Sequence, residues 1–444
     1  MDRGFYTIMS AQFFSALADN ALLIAAIALL RDIGAPESYE PLLKLVFTLS
    51  YVLLAAFVGA FADSMPKARV MLIANAIKIV GCGMMIAGLH PLYGYAVVGL
   101  GAAAYSPAKY GIVTEYLPPA KLVLANSWIE GLTVAAIVFG SGLGGWLISP
   151  MVTGSFAGLT ATVAGTHPGQ LLVYSMACIA LLYGVAAFLN LYVPDTGVDH
   201  KPERSDPVSL LKDFSRCVTL LWKDKLGQIT LATTTLFWGA GATLQFIMLR
   251  WAEDHLQIPL HEATYLQGIF AVGVAIGAVL AGRLVSIDRS VQVVSVGIAM
   301  GFVTCLMTVT HEMLPAGLLM TAVGAMAGFF VVPMNALLQH RGHLLMGSGH
   351  SIAVQNFNEN LSILIMLALY SGLVAIDLPV DVVILLFALF IAASMYGVRR
   401  WHAANMVNHR EELELLLAWA AAHSQQPVES GGRHPHDPHR PPHD

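Results

Sequence analysis

A handful of ionisable residues stand inside stretches that otherwise carry almost no charge. Asp19 lies beside Asn20 in the middle of one apolar run, and Glu359 lies beside Asn360 in another. Lys109 follows Pro107 by two residues. Glu130 follows Asn126 by four residues, and Glu359 follows Gln355 by four, so each amide shares a helix face with its carboxylate. A carboxylate can hold an ammonium group, and a lysine with amides can hold a phosphate. The set suits a zwitterion. Taken alone it suits equally a cation, an amino acid, or a solute moved together with a proton or a sodium ion.

The chemistry these residues offer is binding rather than bond-making. His90, His167, His255, His261 and His311 fall mostly in predicted outer loops with no matching acidic cluster, so an intramembrane enzyme acting on lipids is disfavoured. Cys82, Cys178, Cys217 and Cys305 show no paired spacing, and three lie in apolar runs as small hydrophobes. No metal site and no cofactor are expected. The net charge is −5, and no nucleic-acid partner is expected.

The elements that must position these groups are membrane spans. Of the 444 residues 57% are hydrophobic and 11% charged, too few charges to cover a soluble surface. Residues 45–62, 79–108 and 131–194 hold no Asp, Glu, Lys or Arg. A spanning helix needs about 20 mostly apolar residues, and the runs are continuous rather than alternating, so they are helices and not barrel strands. The first run is too long for a signal peptide, and Asp19 interrupts it; it is read as a retained span.

Twelve spans are predicted, near 5–30, 41–62, 70–89, 93–117, 124–148, 170–193, 228–250, 263–283, 291–310, 315–339, 350–375 and 380–398. Lys and Arg concentrate in alternate loops, which places both termini on the cytoplasmic side. A polar stretch over 193–227, with apolar residues at helical spacing from Leu210 to Trp222, reads as an amphipathic surface helix. It separates a six-span half (1–192) from a second six-span half (228–400). A tail (401–444) follows, His- and Pro-rich from Gln425 and read as disordered.

Charges in hydrocarbon are costly, so each intramembrane ionisable group is a functional candidate. Asp19 either serves a site or forms a structural bridge to Lys78 or Lys109. Lys109 either pairs with Asp19 or Glu130 or meets an anionic group. Glu130, nearer the cytoplasmic end, is a gate or a structural pair. Lys44 and Lys78 are placed near span ends, where they snorkel.

The layout of six plus six spans resembles the major facilitator superfamily, an all-α membrane fold of 12 helices in two halves. The loop after the second span, with Gly59, Asp63, Lys67 and Arg69, resembles that superfamily's G-x-x-x-D loop. In the family this Asp caps a helix N-terminus, and the basic residues tie the halves together in one conformation. The halves also resemble each other: Pro107 in span four matches Pro333 in span ten, and Asn126 and Glu130 match Gln355 and Glu359. Related halves place a substrate site at their interface near the bilayer midplane.

More specifically, residues 12–22, 101–111, 237–241, 329–339 and 353–356 resemble the bacterial lysophospholipid transporters, over nearly all of 5–400. The resemblance implies flipping of lysophosphatidylethanolamine and lysophosphatidylglycerol from the outer to the inner leaflet of the inner membrane. It implies a functional link to an acyltransferase–acyl-carrier-protein synthetase, and a head-group site at Asp19, Asn20, Glu359 and Asn360. It departs at Gln245, where family members carry Arg; the nearest arginine is Arg250. The runner-up reading is a facilitator for a small polar solute or drug.

Overall fold

The computed structural model describes residues 2–35, 39–149, 152, 170–198, 206–258 and 260–422. All regular structure in them is helical. The first half comprises α1 (Arg3–Asp32), α2 (Tyr39–Leu53), α3 (Ala55–Asp63), α4 (Lys67–Ile86), α5 (Pro91–Tyr116), α6 (Pro119–Leu147) and α7 (Gln170–Asn190). An intervening helix α8 (Pro207–Lys223) leads to α9 (Gly227–His255), α10 (Leu260–Leu284), α11 (Val294–Thr304), α12 (Met313–Met346), α13 (Ser348–Ala375) and α14 (Val380–Asn408), then α15 (Arg410–Ala422). Short 3-10 turns flank α11 at Ile287–Val293 and Cys305–Val309. The His- and Pro-rich tail lies outside the described residues.

Nine helical segments among the described residues are long and apolar enough to cross a bilayer, and the α2–α3 pair, bent by 62°, makes a tenth. The remaining two expected spans are α5, 26 residues long, and α9, 29 residues long. They fall short on apolarity, not length. The α5 helix carries Lys109 and Glu115, and α9 carries Thr230, Thr233, Thr234 and Gln245. Helices turned toward a polar interior lose the sequence signal that lipid-facing helices keep. Large apolar side chains left exposed, such as Leu181, Phe188, Leu314 and Leu318, suit a lipid surround.

Close crossings use glycine. Gly273 and Gly277 on α10 meet Gly324 and Gly328 on α12, and a Cβ at any of the four would strike the partner's backbone. Two GxxxG pairs thus face one another, the packing that membrane helices favour where burying apolar surface brings no gain. Helix α8 starts at Asp206, whose carboxylate accepts from the Ser209 amide at 3.0 Å. Its apolar face buries Phe214 and Leu221. The Phe214 ring meets Phe357 of α13 edge-on at 5.5 Å, and the Trp222 indole donates to Asn358 at 3.4 Å. The helix therefore lies on the N-terminal end of α13, at the end of the bundle called the base below.

Candidate functional site

Asp19 is the centre of a buried polar cluster between α1, α4 and α7. Lys78 Nζ donates to both of its carboxylate oxygens at 2.8 Å, and the Tyr183 hydroxyl donates to Oδ1 at 2.7 Å. Lys78 also reaches Ser15 Oγ at 3.1 Å, and Ser15 donates to Asn75 Oδ1 at 2.8 Å. The Tyr105 and Tyr183 rings lie 4.8 and 5.3 Å from the ammonium, within cation–π range. The Lys78 side chain is 1% exposed and that of Asp19 25%. The snorkelling expected of Lys78 is therefore corrected. Helix α4 begins at Lys67, so Lys78 sits past its middle and turns inward to a carboxylate instead of outward to water. Of the two bridges open to Asp19, the structure contains the one to Lys78. The Asn20 amide donates back to the Ala16 carbonyl at 2.8 Å.

The second cluster lies on α13. Gln355 donates to Glu359 Oε1 at 2.7 Å, the one-turn pairing expected from the spacing, and to Asn335 Oδ1 at 3.0 Å. Asn335 follows Pro333, which lies inside α12 as Pro107 lies inside α5. Asn360 donates back to the Asn356 carbonyl at 2.8 Å, as Asn20 does to Ala16. Asn356 itself crosses to the first half and donates to Ser106 Oγ at 2.8 Å. Glu359 is buried and within electrostatic range of Glu130.

Lys109 pairs with neither carboxylate proposed for it: no ion pair joins it to Asp19 or Glu130 within 4 Å. Among the described residues its ammonium reaches only Thr133 Oγ1, at 3.5 Å, and stands 5.0 Å from the Tyr110 ring centre. Glu130 is buried, and its Oε1 has no hydrogen-bond partner among the described residues. The Asn126–Glu130 pairing expected by analogy with Gln355–Glu359 does not form. Asn126 instead exchanges two hydrogen bonds with Gln339 of α12, at 2.9 and 3.1 Å, joining the halves. A complementary amide across the interface satisfies both donor and acceptor, which a carboxylate one turn away cannot do.

The base is closed by the loop between α3 and α4. Asp63 accepts from the Gly349 and His350 amides at 2.7 and 2.8 Å, at the start of α13, and lies 2.8 Å from the His350 ring nitrogen. Lys67 donates to Asp63 and to the Ala62 carbonyl, both at 2.6 Å, and stands 3.3 Å from Glu115. Ser348 completes the link by donating to Glu115 at 2.8 Å. Gly59 permits the approach: a Cβ there would stand 2.9 Å from that of Ala353. Gly347, at φ +87°, turns the chain into α13. Asp63 caps the helix N-terminus as the loop signature implies, whereas Lys67 reaches only first-half groups among the described residues and so steadies Asp63 and Glu115 instead of crossing between the halves. Arg69 takes no part in these contacts; its side chain is exposed and makes no ion pair among the described residues.

Sequence reasoning missed Tyr183, Ser15, Gln339, Glu115, Ser348 and His350. Only Glu115 and His350 carry a signal, as polar residues close to span ends; hydroxyls and amides within spans do not stand out from ordinary ones. Gln245, at the departure from the family, donates to Gln267 of α10 at 3.1 Å. Arg250 is occupied elsewhere, donating to the Leu378 carbonyl at 3.1 Å.

Residues 8–365 match the family model described as Major Facilitator Superfamily. The chain is 41% identical over 403 residues to the Lysophospholipid transporter LplT of Escherichia coli O1:K1 / APEC, covering 90% of this chain and 96% of that one. It is 40% identical over the same length to the protein of that name from Escherichia coli strain K12. Among solved structures it resembles the transporter FucP in the outward conformation, with TM-score 0.68 and 14% identity over 89% of this chain and 98% of that one. It also resembles a bacterial homologue of the iron transporter ferroportin, with TM-score 0.65 and 13% identity over 91% and 99%. At such identity these two likenesses concern the fold alone.

Proposed function

The chain belongs to the lysophospholipid transporter family of the major facilitator superfamily, a group of multi-pass membrane proteins, and on that premise we propose that it flips lysophospholipids by alternating access. The observation that carries the reading is the placement of charge. Asp19 and Glu359 stand in opposite halves, each beside an asparagine, while Lys109 forms no ion pair with a carboxylate among the described residues. A phosphate would meet Lys109 beside Thr133, and an ethanolamine ammonium would meet Glu359 with Gln355 and Asn360. Asp19, held by Lys78 and Tyr183, would exchange partners as the substrate arrives. Glu130, with its orphaned oxygen, would be a second acceptor for an ammonium.

The closed base favours a state that admits substrate from the opposite face. With the base cytoplasmic, that face meets the outer leaflet of a bacterial inner membrane, and both termini lie inside. The single acyl chain contributes about 0.8 kcal/mol per methylene removed from water, so it must stay in an apolar surround while the head crosses. The lipid leaves chemically intact, and reacylation falls to a separate acyltransferase–acyl-carrier-protein synthetase. No enzymatic step is assigned to this chain.

The test is uptake of labelled lysophosphatidylethanolamine by spheroplasts, with the lipid recovered and analysed. Wild type moves intact lipid inward, and Asp19→Asn at equal expression loses that uptake. Competition by small amines but not by lysolipids, or a chemically altered lipid, would overturn the reading.

A further inference from the structure

A cavity of about 230 Å³ opens at the base, away from the Asp19 and Glu359 clusters. It lies between the first turn of α4, α5 and the end of α7. Its inner wall includes Asn190, the last residue of α7, which is 3% exposed. Neither the amide nitrogen nor the carbonyl oxygen of that side chain has a hydrogen-bond partner among the described residues. Leaving both ends of a buried amide unsatisfied costs about 1–3 kcal/mol for each group, so an apolar residue would serve packing better.

Three further features face the same cavity. The helix α4 begins there, and its cap residue Pro66 supplies no side-chain acceptor for the first-turn amides. Arg69 lines the cavity with its guanidinium uncommitted among the described residues. The opposite wall is apolar, formed by Leu72, Ile112 and Leu191. Lys67 and Thr196 also line it, but both are engaged with Glu115, and Asp195 at the rim accepts from the Gly197 amide at 3.1 Å. A helix N-terminus, a guanidinium and an amide donor around one space are the parts of a phosphate site.

We propose that this cavity binds a phosphoryl group, contributed by a lipid head group or by a soluble phosphate, through Asn190, Arg69 and the N-terminus of α4. Because Lys67 lies in the same first turn and holds Asp63, occupancy stabilises the closed base.

The test uses the full chain, purified in detergent, with two probes and two variants. The probes are phosphatidylglycerol, followed as retained lipid by native mass spectrometry, and inorganic phosphate, followed as a shift in Tm against chloride at equal ionic strength. The variants are Asn190→Leu and Arg69→Gln. Retention of phosphatidylglycerol that falls about tenfold in both variants supports a lipid source, and a phosphate-dependent Tm shift lost in both supports a soluble one. Asn190→Leu removes the orphaned amide, so its Tm without either probe should equal or exceed that of wild type. The proposal is overturned if neither probe binds wild type, or if binding is the same in wild type and both variants.

Discussion

Asp63 and Gly349 are 286 residues apart in the chain and 2.7 Å apart in the structure, carboxylate to backbone amide. The carboxylate sits at the N-terminal end of α13, where the helix dipole and two free amides favour negative charge. It joins one half of the molecule to the other on a single point. A Cβ at position 349 would stand 2.6 Å from the same oxygen, so the glycine is required for that approach.

Replacing Asp63 by Ala removes two charge-assisted hydrogen bonds from backbone amides, the contact with the His350 ring and one of the partners of Lys67. Each such bond contributes about 1.5–3 kcal/mol. The closed base should lose population to the open one by tenfold or more. Distances between spin labels placed on either side of the base, measured in reconstituted protein, should lengthen in the variant. Unchanged distances would show that other contacts, such as Asn126–Gln339, close the base unaided.

The Lys78–Asp19 pair makes a different prediction, about stability. Removing one member of a buried pair leaves an uncompensated charge and costs about 3–5 kcal/mol, whereas replacing both with apolar residues can be neutral. Lys78→Leu alone should therefore lower the Tm of the purified protein markedly, and Lys78→Leu with Asp19→Leu should recover much of it. The double variant should not transport if Asp19 serves the head group. A double variant as unstable as the single one would mean that Ser15, Asn75 and Tyr183 depend on the charges for their own order.

Gln245 allows a test of head-group preference. It bonds Gln267, not a carboxylate, so an arginine placed there would face α10 with no acidic partner among the described side chains. On the proposed function, Gln245→Arg should raise transport of lysophosphatidylglycerol relative to lysophosphatidylethanolamine severalfold, read by competition between the two lipids in proteoliposomes. An unchanged ratio would place Gln245 outside the head-group path.

Much of this architecture is legible in sequence because a bilayer imposes a length and an apolarity on every span. Asp19, Lys109 and Glu359 stand out for the same reason, as breaks in apolar runs. Pairing is another matter. Lys78 lies near the middle of the predicted span 70–89 as of the helix itself, and its burial depends on Asp19 from another helix, a partner that local sequence does not name. Asn126 was matched to Gln355 by repeat, yet it bonds Gln339, more than two hundred residues away. A repeat carries the local spacing of a motif but not its partner across the interface. Tyr183 left no trace at all, since a tyrosine in a span is ordinary until a carboxylate lies 2.7 Å from its hydroxyl.

The approach of α3 to α13 yields the last prediction, one that separates packing from charge. At Gly59 an added Cβ would lie 2.9 Å from the Cβ of Ala353 and 3.3 Å from the His350 Cα, closer than real side chains come. Gly59→Val should hold these helices apart and break the Asp63 contacts without touching a charged group. The base would then open as it does in Asp63→Ala. The clash is chiefly with one methyl group, so Ala353→Gly in the same protein should restore part of the closure, whereas it cannot rescue Asp63→Ala. Spin-label distances across the base check both pairs. Rescue of neither would mean that the backbone contact with His350 dominates, and rescue of both would mean that Ala353→Gly closes the base by some route other than relieving this clash.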